Sequence, residues 1–99
     1  MRVFQMIAEF SIVPIGEGES LSQYVAECLR IVRSSGLDHE LTPMGTILQG
    51  DLDEVMSTII SCHKKVVGMS DRVVTEIRID DRRNERPMRE KVERVRVKL

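Results

Sequence analysis

The sequence predicts an α+β protein of the ferredoxin-like class, in βαββαβ order. A four-stranded antiparallel sheet carries two helices on one face, with a short additional helix at the C-terminal end. Three observations lead there. Strict apolar/polar alternation occurs near the start of the chain and again after position 71; two stretches of helical period each run into a glycine; and a pair of short extended runs between them hinges on Pro43-Met44-Gly45.

From about Phe4 to Val13, Met6, Ala8, Phe10 and Ile12 fall on one side and Gln5, Glu9 and Ser11 on the other, the signature of a strand covered on one face. Pro14 and Gly16 end it, and Gly16-Glu17-Gly18-Glu19 forms an acidic, flexible connection. Ser20 with Gln23 matches a capping box. Leu21, Tyr24, Val25, Cys28, Leu29 and Val32 then recur at helical spacing up to Gly36, a residue suited to a left-handed terminal cap. His39–Met44 and Gly45–Gly50 form a hairpin or sharply bent pair. Asp51 with Glu54 caps the next helix, whose expected apolar stripe is Leu52, Val55, Met56, Ile59, Ile60 and His63, and Gly68 closes it. Arg72–Asp80 alternates again, with Val73, Thr75, Ile77 and Ile79 opposite Glu76, Arg78 and Asp80. Pro87 then opens a short helix with the thin stripe Met88, Val92, Val95 and Leu99.

Right-handed crossovers put the first and third strands at the centre of the sheet. The face away from the two helices is expected to display Gln5, Ile7, Glu9, Ser11, Thr46, Leu48, Glu76 and Arg78. This mixed surface suits self-association or a ligand floor.

Ninety-nine residues, 41% hydrophobic and 31% charged, give room for one domain, taken as residues 1–99. A net charge of -1 provides no field for phosphate backbones or anionic membranes. Only Phe4, Phe10 and Tyr24 are aromatic, too few for base stacking, so nucleic acid is not expected as a partner. No apolar run approaches the roughly 20 residues of a membrane span. The start Met1-Arg2-Val3-Phe4-Gln5 lacks the pattern of a signal peptide, so no membrane association and a cytoplasmic location are expected. Cys28 and Cys62 lie on different helices without a Cys-x-x-Cys partner and read as buried small hydrophobes.

Ferredoxin-like folds host many activities, so function rests on the residues. Acyl-phosphate chemistry would need a basic glycine-rich cradle after the first strand, where this chain is acidic. A soft-metal carrier would need paired cysteines there. His63 beside Cys62 reads as a boundary residue, His39 as a solvated strand-edge residue, and Asp80-Asp81 before Arg82-Arg83 as a locally salt-bridged turn. No catalytic set, metal site or cofactor is expected. The Leu41-Thr42-Pro43-Met44-Gly45-Thr46 run instead gathers two hydroxyls, a thioether and a glycine that exposes backbone groups, a set able to line a pocket for a small flat heterocycle. The plainer alternative is a hairpin whose turn needs Pro and Gly. With Glu9 and Ser11 from the adjoining strand, the candidate ligand-binding residues are Glu9, Ser11, Thr42, Met44, Gly45 and Thr46.

The runs Met6-Ile7-Ala8-Glu9-Phe10-Ser11-Ile12-Val13-Pro14, Leu41-Thr42-Pro43-Met44-Gly45-Thr46 with Gly50-Asp51, Glu54-Val55-Met56, and Ile77-Arg78-Ile79-Asp80-Asp81-Arg82-Arg83 resemble the small thiamine-binding protein family, the single-domain relatives of the YkoF type. The resemblance covers nearly the whole chain. It implies a ferredoxin-like fold, sheet-to-sheet dimers commonly paired into tetramers, and binding of thiamine or its hydroxymethylpyrimidine part. An aminopyrimidine would find hydrogen-bond partners in Glu9, Ser11, Thr42 and Thr46 and an apolar wall in Met44 or Ile7, while a carboxylate such as Glu9 would favour the cationic thiazolium. The expected function is non-catalytic binding for carriage, buffering or sensing. The alternative is a regulatory or scaffold homo-oligomer, joined through the open sheet face without a ligand.

Overall fold

The computed structural model describes residues 6–99, and the alternation expected at Phe4 and Gln5 lies outside the described residues. The elements are β1 (Met6–Pro14), α1 (Ser22–Ser35), β2 (Asp38–Thr42), β3 (Gly45–Gly50), α2 (Leu52–Val67), β4 (Val73–Asp80) and α3 (Met88–Arg96). All strand pairs are antiparallel in the order β2-β3-β1-β4, the ferredoxin-like arrangement with β1 and β3 central.

Alternation in β1 defines the faces. Met6, Ala8, Phe10, Ile12 and Pro14 point under the helices and are buried, while Ile7, Glu9, Ser11 and Val13 point to the other side. Register carries this division to β3, where Phe10 faces Thr46 and Ala8 faces Leu48. Thr46 and Leu48 therefore lie on the helix side, contrary to the expected open-face placement; Leu48 is completely buried in the core. A one-residue change of register exchanges the faces of a whole strand, and the pairing that assigns these faces joins β3 to the distant β1. On β4, Val73, Thr75, Ile77 and Ile79 do share a face, yet Ile77 and Ile79 stay exposed because β4 is an edge strand.

Two helix termini follow the local rules. Gly36 takes a left-handed conformation, φ 75°, and donates its N–H to the Arg33 carbonyl. At the start of α2, Asp51 Oδ2 accepts from the N–H groups of Asp53 and Glu54 at 3.1 and 3.4 Å. The start of α1 differs from the capping box expected at Ser20: Leu21 occupies the cap position without a side-chain bond, and Ser20 Oγ lies 3.3 Å from Ser22 Oγ. Leu21 packs on the core, so burial of its side chain sets where the helix begins. In α1 the buried residues are Tyr24, Cys28 and Val32, with Val25 exposed. In α2 they are Val55, Thr58, Ile59, Cys62 and Val66, whereas Leu52 and Ile60 face outward. The buried face of that helix is rotated from its expected stripe toward Thr58 and Cys62, and Cys62 meets Cys28 of α1.

The face opposite α1 and α2 is partly covered by α3. Gln49 projects from β3 on this side; its Nε2 donates to the Arg86 carbonyl and its Oε1 accepts from Met88 N–H, both at 2.7 Å. Arg89 donates to Asp38 Oδ1 at 2.6 Å and to the His39 carbonyl at 3.1 Å, fixing the helix across β2. Lys91 bridges Asp80 at 2.8 Å and Glu85 at 3.1 Å. Asp80 thus bonds α3, a partner 11 positions away, in addition to the electrostatic attraction of its neighbour Arg82. Glu85 is fully buried, and its other oxygen accepts from Arg86 N–H at 3.0 Å, so both oxygens of a carboxylate out of water are satisfied. Of the expected α3 stripe only Met88 is buried; Val92, Val95 and Leu99 are exposed. Among the described residues no helix is long and apolar enough to cross a membrane, and no group of His, Cys, Asp and Glu side chains is placed to hold a metal ion.

Candidate ligand-binding site

The β2–β3 hairpin organises the candidate site through Thr42. Its Oγ1 accepts from Met44 N–H and Gly45 N–H, each at 3.2 Å, and donates to the Gly45 carbonyl at 3.0 Å. One hydroxyl thereby closes the turn and uses its full hydrogen-bonding capacity. Met44 projects from the tip, 83% exposed. Gly45 is required for a different reason: a Cβ there would lie 2.7 Å from the Phe10 carbonyl oxygen. Only a residue without a side chain lets β3 begin this close to β1.

Beneath the hairpin, on the helix side, lies a cavity of about 250 Å³. Its origin is the unequal seating of the helices. α2 packs directly on the sheet, while α1 packs on α2 and stands off from the strands. Phe10, Leu21, Val25 and Leu41 supply apolar wall, Thr46 a hydroxyl and Cys28 a thiol. Small-ligand pockets run from roughly 300 Å³ upward, so the space suits one substituted ring. Among the described residues, no Lys, Arg, Asp or Glu lines it. The acidic loop before α1 is tied down nearby, with the Tyr24 hydroxyl donating to Glu17 Oε1 at 2.7 Å; that bond raises the Tyr24 pKa above the ordinary phenol value.

A second recess, about 240 Å³, lies on the open face between Glu9, Ser11, Met44, Glu76 and Arg78. Its two carboxylates outnumber its one guanidinium, and Arg78 stands 3.7 Å from Glu9 Oε1, a loose and solvated ion pair. Ser11 and Met44 line both spaces. The six residues singled out in the sequence thus divide. Thr46 lies on the helix side in the cavity; Glu9 lies in the open-face recess; Ser11 and Met44 join the two; Gly45 and Thr42 shape the rim. The cavity can sort ligands by shape and offers the Thr46 hydroxyl, and the recess can attract positive charge.

Sequence reasoning missed the apolar walls supplied by α1 and the residue before it, Val25 and Leu21. The available signal was that the α1 stripe is wider than one core face requires. It also left Glu76 and Arg78 out of the site, although both were placed on the correct face.

The sequence profile of the thiamine-binding protein family matches residues 8–96. A UPF0045 protein of Methanothermobacter thermautotrophicus is 41% identical over 96 residues, covering 93% of this chain and 97% of its own. The crystal structure of a hypothetical protein from Methanocaldococcus jannaschii superposes with a TM-score of 0.87 at 35% identity, covering 96% of this chain and 97% of that one. A Thermotoga maritima protein provisionally assigned to thiamine biosynthesis or salvage shares the fold, with a TM-score of 0.82 at 21% identity, covering 92% of this chain and 98% of that one. With the profile spanning nearly all of the described residues and the β1 and hairpin segments inside it, the chain belongs to the thiamine-binding protein family.

Proposed function

We propose that this protein binds thiamine, or its hydroxymethylpyrimidine part, without chemical turnover, and carries, buffers or senses it. One observation carries the reading: an uncharged cavity for a single ring and an acidic recess share Ser11 and Met44 in their walls. Thiamine has the matching division, a neutral aminopyrimidine joined to a cationic thiazolium. In this arrangement Thr46 offers a hydroxyl to the pyrimidine from the helix side, Leu21, Val25, Leu41 and Met44 enclose its flat faces, Ser11 offers a hydroxyl on the recess side, and Glu9 with Glu76 attracts the thiazolium. Thr42 and Gly45 act by holding the hairpin in shape. Membership of the family supports the ligand class, as does the thiamine assignment of the Thermotoga maritima protein.

The protein works as a homo-oligomer, a dimer of dimers, in this proposal. Supporting it, Ile7, Val13 and Ile47 remain only half-buried on the open face, and Met44 stands out at its rim. A second subunit on that face would close the recess over a bound thiazolium.

Calorimetry tests the assignment. Thiamine and the neutral pyrimidine alcohol are each expected to bind the wild-type protein. Glu9→Gln removes one carboxylate beside the cation and should weaken thiamine by roughly fivefold, about 1 kcal/mol at a semi-solvated site, with the pyrimidine alcohol nearly unchanged. Equal losses for both ligands would refute a charge role for Glu9. Absence of binding heat, together with no ligand-dependent rise in the unfolding midpoint, would leave the ligand-free oligomer as the function.

A further inference from the structure

The wall of the cavity contains a group that ligand binding does not require. Cys28 and Cys62, 34 positions apart in sequence, meet where α1 crosses α2. Cys28 Sγ lies 3.9 Å from the Cys62 carbonyl oxygen, and Cys62 Sγ lies 3.5 Å from the Cys28 carbonyl oxygen. Each sulfur touches the other residue's backbone, so the helices approach closely here and the two thiols sit side by side. Both are reduced. Their access differs: Cys62 is completely buried, whereas Cys28 lines the cavity. A small solute entering behind the hairpin reaches one thiol of the pair.

We propose that Cys28 and Cys62 form a peroxide-sensitive pair, with Cys28 oxidised first through the cavity and Cys62 resolving it into a disulfide that staples α1 to α2. In the first step the Cys28 thiolate attacks one peroxide oxygen. The O–O bond breaks, hydroxide leaves and takes up the proton the thiol gave, and Cys28 becomes a sulfenic acid. In the second step the Cys62 sulfur attacks the Cys28 sulfur; an S–S bond forms, the S–O bond breaks and water departs with the Cys62 proton. Two thiols and one hydrogen peroxide give one disulfide and two waters, the sulfurs losing the two electrons that the O–O bond gains. Proton affinities agree with this order. Hydrogen bonding from Cys62 holds Cys28 below the ordinary thiol value, while the same bond and burial push Cys62 up.

The test is exposure of the folded protein to hydrogen peroxide, followed by intact mass and thiol counting. Wild type should lose two hydrogens and both thiols together, gain roughly 10 °C or more in unfolding midpoint, and revert with dithiothreitol. Cys62→Ser should accumulate a sulfenic acid on Cys28 that a dione reagent traps. In Cys28→Ser, Cys62 should stay unreacted until the protein unfolds. Val25→Phe, which narrows the cavity from a half-open position on α1, should slow the wild-type reaction by about tenfold without moving the reduced protein's unfolding midpoint downward by more than a few degrees. The proposal is overturned if folded wild type keeps both thiols, if Cys28 proceeds to sulfinic acid with no disulfide, if Cys62 reacts at the wild-type rate in Cys28→Ser, or if Val25→Phe leaves the rate unchanged.

Discussion

Two glycines of β3 offer equally short distances with opposite expected consequences. A Cβ on Gly45 would meet the Phe10 carbonyl oxygen at 2.7 Å, and a Cβ on Gly50 would meet Leu37 Cδ2 at 2.6 Å. Neither glycine has positive φ, so backbone strain does not separate them. The neighbours do. Phe10 belongs to β1 and is laddered to β3 on one side and β4 on the other, so its carbonyl moves only if two ladders give way. Leu37 Cδ2 is the free end of a side chain that is only partly buried, and a rotamer change clears it. Alanine for glycine in a strand gains about 0.5–1 kcal/mol from reduced unfolded-state freedom. Against this, Gly45→Ala incurs an overpacking cost of about 1–3 kcal/mol, whereas Gly50→Ala incurs about 1 kcal/mol or less. The net expectation is a loss of roughly 1–2 kcal/mol for Gly45→Ala and near neutrality for Gly50→Ala. At about 4–8 °C per kcal/mol for a domain of this size, the unfolding midpoints should differ by roughly 5–15 °C. Thermal and urea unfolding of the two variants beside wild type measures this directly. Equal midpoints, or Gly50→Ala as the weaker variant, would refute the distinction between backbone and side-chain neighbours.

Two further expectations concern α3. Gln49→Leu removes both hydrogen bonds that hold the segment before α3 and leaves Met88 N–H and the Arg86 carbonyl without this partner, a cost of about 1–3 kcal/mol. Hydrogen exchange should accelerate across residues 86–96 and stay unchanged in α2, and uniform acceleration would show that α3 is not a separate unit. For pH, the Lys91 hydrogen bond holds Asp80 below its ordinary value of 3.8, so this contact contributes fully above that pH and is lost as pH falls through the lower folded value. Lys91 is held above its ordinary 10.5 by the same bond, so its contribution is complete below 10.5 and is lost as pH rises through the higher folded value. The opening free energy of α3, obtained from amide protection factors after correction for the intrinsic pH dependence of exchange, should therefore be flat between about 5 and 10 and fall at both extremes. A transition near neutrality would contradict it, and added salt should weaken this exposed contact.

The order of elements, the two faces of β1, the left-handed stop at Gly36 and the cap at Asp51 are legible in the sequence, because each depends on residues within about one helical turn or on a period of two. The candidate site was legible in part. The Thr42-Pro43-Met44-Gly45-Thr46 run does form a tight turn beside a cavity, and Ser11 does border it. The sequence could not show that Thr42 turns its hydroxyl inward on the hairpin itself, or that Glu9 and Thr46 lie on opposite faces of the sheet.

Local chemistry along the chain thus determined which segments are strands and helices and where most of them stop. Tertiary structure alone decided which face Thr46 takes, how far α1 stands from the sheet, that α3 folds back over Gln49, and that Cys28 meets Cys62. Each of these depends on contacts between residues far apart in sequence: strand register, helix seating and helix crossing are settled by burial of the whole core, and no short window of sequence contains both partners.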